Sequence, residues 1–134
     1  MSTSRVKAAG LAITLAAVAV GVGALIGGRL RLVGGLPPTY NATDHDARLS
    51  QEAATAQPLI TALARYRAEH GQFPAEAAVL GVASDGWVYA AQPSGYVLSK
   101  KLGWDPTLHY RFEQGRARWI FEPGDGSPER EITL

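Results

Sequence analysis

The sequence predicts an α+β protein in which an N-terminal transmembrane helix is followed by one long helix packed on a small antiparallel β-sheet. Residues 8–28 form an uncharged apolar run, and residues 46–70 repeat apolar side chains at helical spacing. From Trp87 onward apolar side chains repeat about every 2 residues, as they do in strands. We divide the 134 residues into a cytoplasmic tail, a transmembrane helix, a linker and one extracytoplasmic domain, at 1–7, 8–28, 29–43 and 44–134.

Composition excludes several classes of protein. The chain has no cysteine, which excludes a disulfide scaffold, a cysteine-ligated zinc site and a thiol nucleophile. All 12 acidic residues lie in residues 40–134, which carry a net charge of −3, whereas residues 1–39 carry +4. The sequence pI of about 8.1 therefore reflects the N-terminal segment, and the charge distribution gives no support to a nucleic-acid partner.

Residues 8–28 are predicted to cross a membrane, because a helix of this length extends ~31 Å at ~1.5 Å per residue. A short basic tail before the run is typical of a signal-anchor, which predicts a single-pass protein of the bacterial inner membrane with a periplasmic or extracellular C-terminal domain. A cleaved signal peptide is the alternative, although no A-x-A site follows the run. Gly23 and Gly27 form a G-x-x-x-G motif that would allow helix–helix contact, a pattern that small-residue segments also meet by chance.

The amphipathic segment 46–70 carries signals at both of its ends. Asp44 or Asp46 can accept hydrogen bonds from the first N–H groups, and Gly71 suits a left-handed C-cap. Pro58 interrupts the segment, either as a kink or because a second helix begins near Thr55. We expect the kink, since the apolar stripe keeps its phase across the proline.

The second half of the chain predicts strands. Residues 107–113 and 116–122 read as a hairpin around Gln114-Gly115. The two-residue loop sets three same-face pairs: Phe112 with Ala117, Tyr110 with Trp119, and Leu108 with Phe121. Further strands are expected at 87–90, 95–100 and 129–134, and a short helical turn at 75–80.

The run ALARYRAEHGQFP, residues 62–74, resembles the end of the long helix in type IV pilin-like and type II secretion pseudopilin-like proteins. The resemblance implies a pilin-like fold for the soluble part and partners in a secretion or surface assembly. The prepilin processing motif is absent, because the fifth residue after Gly10 is Leu15 where such proteins have glutamate. We therefore carry over the fold and not the filament function.

The outward face of the predicted hairpin supplies the candidate binding residues Arg111, Arg116 and Arg118. The register places Arg111 opposite Arg118, and two like charges at opposed positions destabilise a sheet. Either a neighbouring acid such as Glu131 offsets them, or the face binds an anionic polymer or a lipid headgroup.

Candidate metal ligands occur at two places. Asp44-His45-Asp46 reads as a helix cap with a solvated histidine rather than a metal site. The pseudopilin resemblance implies a possible calcium site with Glu122, Asp125 and Glu129 as ligands, but a calcium site takes about 6–8 oxygens. We expect no metal and no cofactor.

Motifs that would indicate an enzyme are missing from the sequence, among them G-x-S-x-G, H-E-x-x-H and the P-loop. The sequence therefore predicts a membrane-anchored, non-catalytic envelope protein that mediates protein–protein contacts, for example as an accessory of a secretion or surface assembly. A module that binds an anionic polymer or lipid headgroup through the arginine-rich face is the alternative.

Overall fold

The structure, a computed structural model, describes residues 25–26, 29–30, 35–37 and 40–134. Of the predicted transmembrane helix, residues 8–24 and 27–28 lie outside this part of the chain. Its end, Leu25–Ile26 (β1), is a strand that pairs antiparallel with Arg29–Leu30 (β2). In the described ranges, no helix is both long enough and apolar enough to cross a membrane.

The predicted fold class is therefore wrong in its first element. The strands β1 and β2 are separated in sequence by two glycines, and glycine disfavours a helix by about 1 kcal/mol per residue. The apolar composition that suggested a spanning helix does not distinguish a helix from a strand over these last residues.

The predicted long helix is also wrong. Residues 47–70 form two short helices, α1 at Ala47–Ala54 and α2 at Gln57–His70, so the second helix begins close to Thr55. Pro58 is the physical reason, because it has no N–H to donate and occupies the first turn of α2, where N–H groups have no helical partner anyway. Over residues 47–70, the single continuous helix expected from the pilin-like arrangement is therefore not present.

The predicted ends of the helical region are confirmed. Asp46 caps α1 by accepting from the N–H groups of Arg48 at 2.9 Å and Leu49 at 3.3 Å. The Tyr40 hydroxyl donates to the other carboxylate oxygen at 2.7 Å. Gly71 ends α2 with a φ of 79°, which glycine adopts without steric cost.

A five-stranded antiparallel meander follows a 3-10 turn at Ala77–Leu80. Its strands are β3 (Val88–Gln92), β4 (Gly95–Lys101), β5 (Thr107–Glu113), β6 (Arg116–Glu122) and β7 (Arg130–Ile132), in the spatial order β3-β4-β5-β6-β7. The predicted hairpin of β5 and β6 is confirmed in its bounds and in all three same-face pairs. The register was predictable because a one-residue slip would move the apolar set to the other face.

The core lies between the two helices and one face of the sheet, called here the inner face. Leu49, Leu59 and Leu63 are the large helical side chains that are fully buried, and they meet Leu98, Leu108 and Phe121 from the sheet. The segment 35–37 joins this core through Leu36, whose N–H donates to the carbonyl of Leu102 at 2.6 Å.

A polar cluster ties the break between the helices to the sheet. Lys100, which points to the inner face, lies 2.9 Å from the Glu52 carboxylate, and both side chains are about 85% buried (15% and 14% exposed). The Thr55 hydroxyl accepts from the Trp87 indole N–H at 2.8 Å and from Lys100 at 3.3 Å. It donates to the Glu52 carbonyl at 2.6 Å, so no buried side-chain nitrogen or oxygen of this helix junction lacks a partner.

Trp119→Ala and Arg118→Ala test which face of β6 is buried. Trp119 packs edge-on against Tyr110, with ring centroids 4.9 Å apart, so its truncation should cost about 3 kcal/mol of unfolding free energy. Arg118 makes one surface ion pair with Glu113 at 3.5 Å, and its truncation should change stability by less than about 0.5 kcal/mol. Urea denaturation of both variants measures this, and equal losses would contradict the assignment of faces.

Asp46→Ala and Asp46→Asn test the helix cap and its pH dependence. Burial opposes ionisation of Asp46, but hydrogen bonds from Tyr40 and from the N–H groups of Leu49 and Arg48 outweigh it and lower its pKa. At pH 7, Asp46→Ala should lose about 1 kcal/mol, and Asp46→Asn less, because asparagine also caps helices.

A lowered pKa in the folded state stabilises the fold above the unfolded-state pKa of about 3.9, and this contribution disappears as the pH falls through the folded value. The stability difference between wild type and Asp46→Asn should therefore narrow between pH 5 and pH 2, as measured by urea titrations at several pH values. A difference that is constant over that range would show that the ionised carboxylate adds nothing to the cap.

Candidate functional site

The structure brings the three predicted binding arginines together on the face of the sheet opposite the helices, called here the outer face. Arg111 lies on β5 directly opposite Arg118 on β6, as the register predicted. Arg111 forms a two-pronged ion pair with Glu129, with N–O distances of 2.9 and 3.0 Å. The other two pairs are longer, 3.5 Å each, and join Arg116 to Glu131 and Arg118 to Glu113.

These ion pairs change the electrostatics expected of the outer face. Each arginine has its own glutamate, so the six side chains together carry no net charge and their field is short-ranged in water. Sequence reasoning identified Glu131 as a relieving acid. It missed Glu129, which only the path of the loop after β6 brings beside Arg111. The hypothesis that the outer face attracts an anionic polymer therefore loses its main support.

A hydrogen-bonded chain of three side chains crosses the same face and was missed in the sequence. The Ser99 hydroxyl lies 2.8 Å from Nδ1 of His109, and Nε2 of His109 lies 2.8 Å from a Glu122 oxygen. In the tautomer that donates Nε2–H to the Glu122 carboxylate, Nδ1 accepts from the Ser99 hydroxyl. The register of β4 and β5 could have predicted this contact, since Ser99 is directly opposite His109 once the two strands are paired.

This order of donors resembles that of a Ser-His-acid catalytic triad, but its surroundings do not suit acyl transfer. Ser99 lies on β4, between β3 and β5, so the backbone N–H groups beside its hydroxyl are used by the two ladders. An oxyanion needs free donors at about 2.7–3.1 Å. The three residues therefore connect β4, β5 and β6 through side chains.

The Asp44-His45-Asp46 triplet is a structural element rather than a metal site. Asp46 caps α1, and the Asp44 carboxylate accepts from the N–H of Thr133 at 3.0 Å. The backbone N–H of His45 donates to the carbonyl of the same Thr133 at 2.7 Å. These contacts fasten the start of α1 to the end of β7.

The three predicted calcium ligands are held apart by separate partners. Glu122 contacts His109, and Glu129 is paired with Arg111. The Asp125 carboxylate accepts from the N–H of Ser127 at 2.9 Å, and hydrogen bonds from Ser127 lower its pKa. Over the described part of the chain, no group of three histidine, cysteine or acidic residues is placed to hold a metal ion.

A groove of about 440 Å³ lies between α2 and the inner face of the sheet, and we call it the aromatic groove. Its lining residues are Ile60, Ala64, Arg67, Ala68, Gly71, Phe73, Tyr96, Tyr110 and Phe112. The ring of Phe73 stands edge-on to those of Tyr96 and Phe112, at 4.8 and 5.6 Å. Burial raises the pKa of Tyr96 and of Tyr110, so both phenols stay neutral at pH 7.

Arg67 gives the aromatic groove a formal positive charge, the sole one among its lining residues. Its guanidinium lies 5.0 Å from the ring centre of Phe73 and 5.9 Å from that of Phe112, within the range of cation–π attraction. Arg67, Gly71 and Phe73 also border a neighbouring cleft of about 300 Å³ that reaches the turn between β3 and β4.

Sequence reasoning did not predict the aromatic groove, although it used several of its residues. Phe73 was used only as part of the run that carries the family resemblance, and Tyr110 and Phe112 were assigned to the core. A helix stripe that ends in alanines, Ala64 and Ala68, is the one signal available, because small residues leave space between the helix and the aromatic residues opposite them.

Comparison of the chain with family models, with curated proteins and with solved structures gives no match. The function of this protein is therefore inferred from the chemistry of the site itself.

Calcium is expected to have no effect on stability, against the implication of the pseudopilin resemblance. A ligand at a hundredfold excess over its Kd would add about 2.7 kcal/mol, a gain that requires coordinated oxygens that Glu122, Asp125 and Glu129 do not supply together. Melting curves in millimolar Ca²⁺ and in EDTA should coincide. A rise of several degrees with Ca²⁺ that Asp125→Ala abolishes would contradict this expectation.

Proposed function

We propose that the domain over residues 40–134 is a non-catalytic protein-interaction module that binds a peptide segment of a partner in the aromatic groove. The observation that carries the proposal is the combination of an aromatic lining with the single cation of Arg67. A volume of about 440 Å³ lies within the range of ~300–1,000 Å³ that ligand sites occupy.

The lining determines the chemistry of the segment. Aromatic residues and arginine are enriched at the energetic centres of protein interfaces, and aromatic side chains bury a large area with few rotamers to fix. Neutral phenols and phenylalanine rings favour an apolar or aromatic anchor side chain, which the groove would remove from water. A carboxylate beside that anchor could pair with the guanidinium of Arg67, which is exposed at the rim. The expected ligand is therefore a peptide with an apolar anchor next to an acidic residue.

The alternative function, binding of an anionic polymer or a lipid headgroup through Arg111, Arg116 and Arg118, has weaker support. Each of these arginines would have to give up a glutamate in order to contact a phosphate or sulfate. The placement of the domain outside the cytoplasm and its partners in the bacterial envelope stay predictions of the sequence.

Selection of random dodecapeptides displayed on phage against the full chain tests the proposed function. We expect a consensus with an aromatic or aliphatic residue beside aspartate or glutamate. Calorimetry with a selected peptide should show that Arg67→Ala and Phe73→Ala each weaken binding about tenfold, which is about 1.4 kcal/mol. Arg65→Ala is the matched control, because Arg65 is exposed on the same helix and outside the groove lining.

Two outcomes would contradict the proposal. Equal affinities of the Arg67→Ala and Arg65→Ala variants would place the peptide elsewhere. Retention of the chain on heparin or polyphosphate that Arg116→Ala weakens and Arg67→Ala does not would favour the anionic-polymer function instead.

A further inference from the structure

The two edges of the five-stranded sheet differ in how they are protected. The edge strand β7 has three residues, two of which, Arg130 and Glu131, are charged. The residue that follows it, Thr133, is held by Asp44 and His45. The opposite edge, β3, has the sequence VYAAQ, without a charge or a proline, and four of its five side chains are exposed. Because open edges promote pairing with other chains, proteins usually protect them with charges, prolines or a cover.

The ladder shows which backbone groups of β3 are open. The carbonyl of Ser94 accepts from the N–H of Gln114, so the neighbouring Gly95 directs its own groups toward β3 and pairs with Gln92. Hydrogen-bonded residues alternate along a strand, so Ala90 also faces β4, and Tyr89 and Ala91 direct their N–H and C=O groups away from the sheet. In the described ranges, none of the backbone hydrogen bonds outside the ladder uses these groups.

We infer that β3 is a dimer interface, at which it pairs antiparallel with β3 of a second copy of this chain around a two-fold axis at Ala90. In this register Tyr89 of one copy stands opposite Ala91 of the other. The backbone N–H and C=O groups of these two residues form hydrogen bonds with each other across the interface. Val88, which is 67% exposed in the single chain, comes to lie opposite Gln92 of the second copy.

A second copy fits this edge better than an unrelated strand for two reasons found in the strand itself. It carries no charge, so two copies do not repel each other. The large side chain of Tyr89 and the small one of Ala91 both lie on the inner face, and the antiparallel register places each beside the other. A two-fold contact of this kind closes, so it produces a dimer and not a fibre.

The inference is independent of the proposed function, because none of the residues that line the aromatic groove belongs to β3. A dimer formed in this way would carry two grooves, and a partner with two matching segments would bind it with increased avidity.

Disulfide trapping in the full chain tests the interface, because the natural sequence has no cysteine. At the two-fold axis the paired residues are not hydrogen bonded to each other and lie about 4.5 Å apart at Cα, within the range of about 4.4–6.8 Å that a disulfide spans. Mild oxidation of Ala90→Cys should therefore give a covalent dimer on a non-reducing gel. Ala117→Cys, at an exposed position of β6, is the matched control and should stay monomeric.

The register is tested by pairs of cysteines. Val88→Cys alone should not cross-link, whereas the double variant Val88→Cys with Gln92→Cys should cross-link, because these two positions face each other across the axis. Cross-linking of Val88→Cys alone at the rate of Ala90→Cys would overturn the antiparallel register and with it the proposed dimer.

Sedimentation of chains without added cysteine gives the second measurement. The wild type should sediment as a dimer, and Ala90→Lys as a monomer, because it places two lysines at one point of the axis. An unchanged far-UV circular dichroism spectrum and unchanged peptide binding would show that Ala90→Lys remains folded with an intact groove. A monomeric wild type, or equal cross-linking of Ala90→Cys and Ala117→Cys, would overturn the inference.

Discussion

The position of the helices on the sheet depends on the polar junction at the break between α1 and α2. Pro58 prevents a continuous helix. The short turn between α1 and α2 places Thr55 where its hydroxyl contacts Trp87 and Lys100. The nearby ion pair of Lys100 and Glu52 is largely buried, and loss of one member of such a pair costs about 3–5 kcal/mol because the other charge is left in an apolar environment. Because Lys100 and Glu52 must stay paired, the helix break has one placement over β4. That placement in turn sets the path of α2 across the inner face.

The aromatic groove follows from that placement. The N-terminal part of α2 is fully packed through Leu59 and Leu63, whereas its later turns present Ala64 and Ala68 to the sheet. Small side chains fill less of the space beside Tyr96 and Phe112 than large ones would, so a cleft remains at this end of the helix. Arg67 lies over the rings of Phe73 and Phe112, and its charge is what distinguishes the groove from an ordinary packing defect.

The outer face shows how a charged surface can be organised without attracting an anionic partner. Three arginines and three glutamates form ion pairs across β5, β6, β7 and the residue before β7, and the chain of Ser99, His109 and Glu122 continues the polar pattern toward β4. Exposed ion pairs contribute at most about 1 kcal/mol each. Their main effect is on specificity, since a strand shifted by one residue would place these charges against the core.

The sequence by itself determined the hairpin of β5 and β6, the caps at Asp46 and Gly71, and, within residues 40–134, the order of helices before strands. These features depend on neighbours in the chain: a two-residue loop fixes a register, and a cap needs only the next three N–H groups. Tertiary structure alone decided the glutamate partner of Arg111, the contact of Ser99 with His109, and the groove beside Arg67. Each of these joins residues whose separation in sequence gives no periodic signal.

The two wrong predictions have the same physical origin. Residues 8–28 were assigned to a spanning helix on hydrophobicity, and residues 46–70 to one helix on an unbroken apolar stripe. Both arguments use side-chain polarity, whereas the outcome at Leu25–Ile26 and at Pro58 depends on the backbone. Glycine removes the preference for a helix and proline removes a hydrogen-bond donor, and neither effect appears in a hydrophobic pattern.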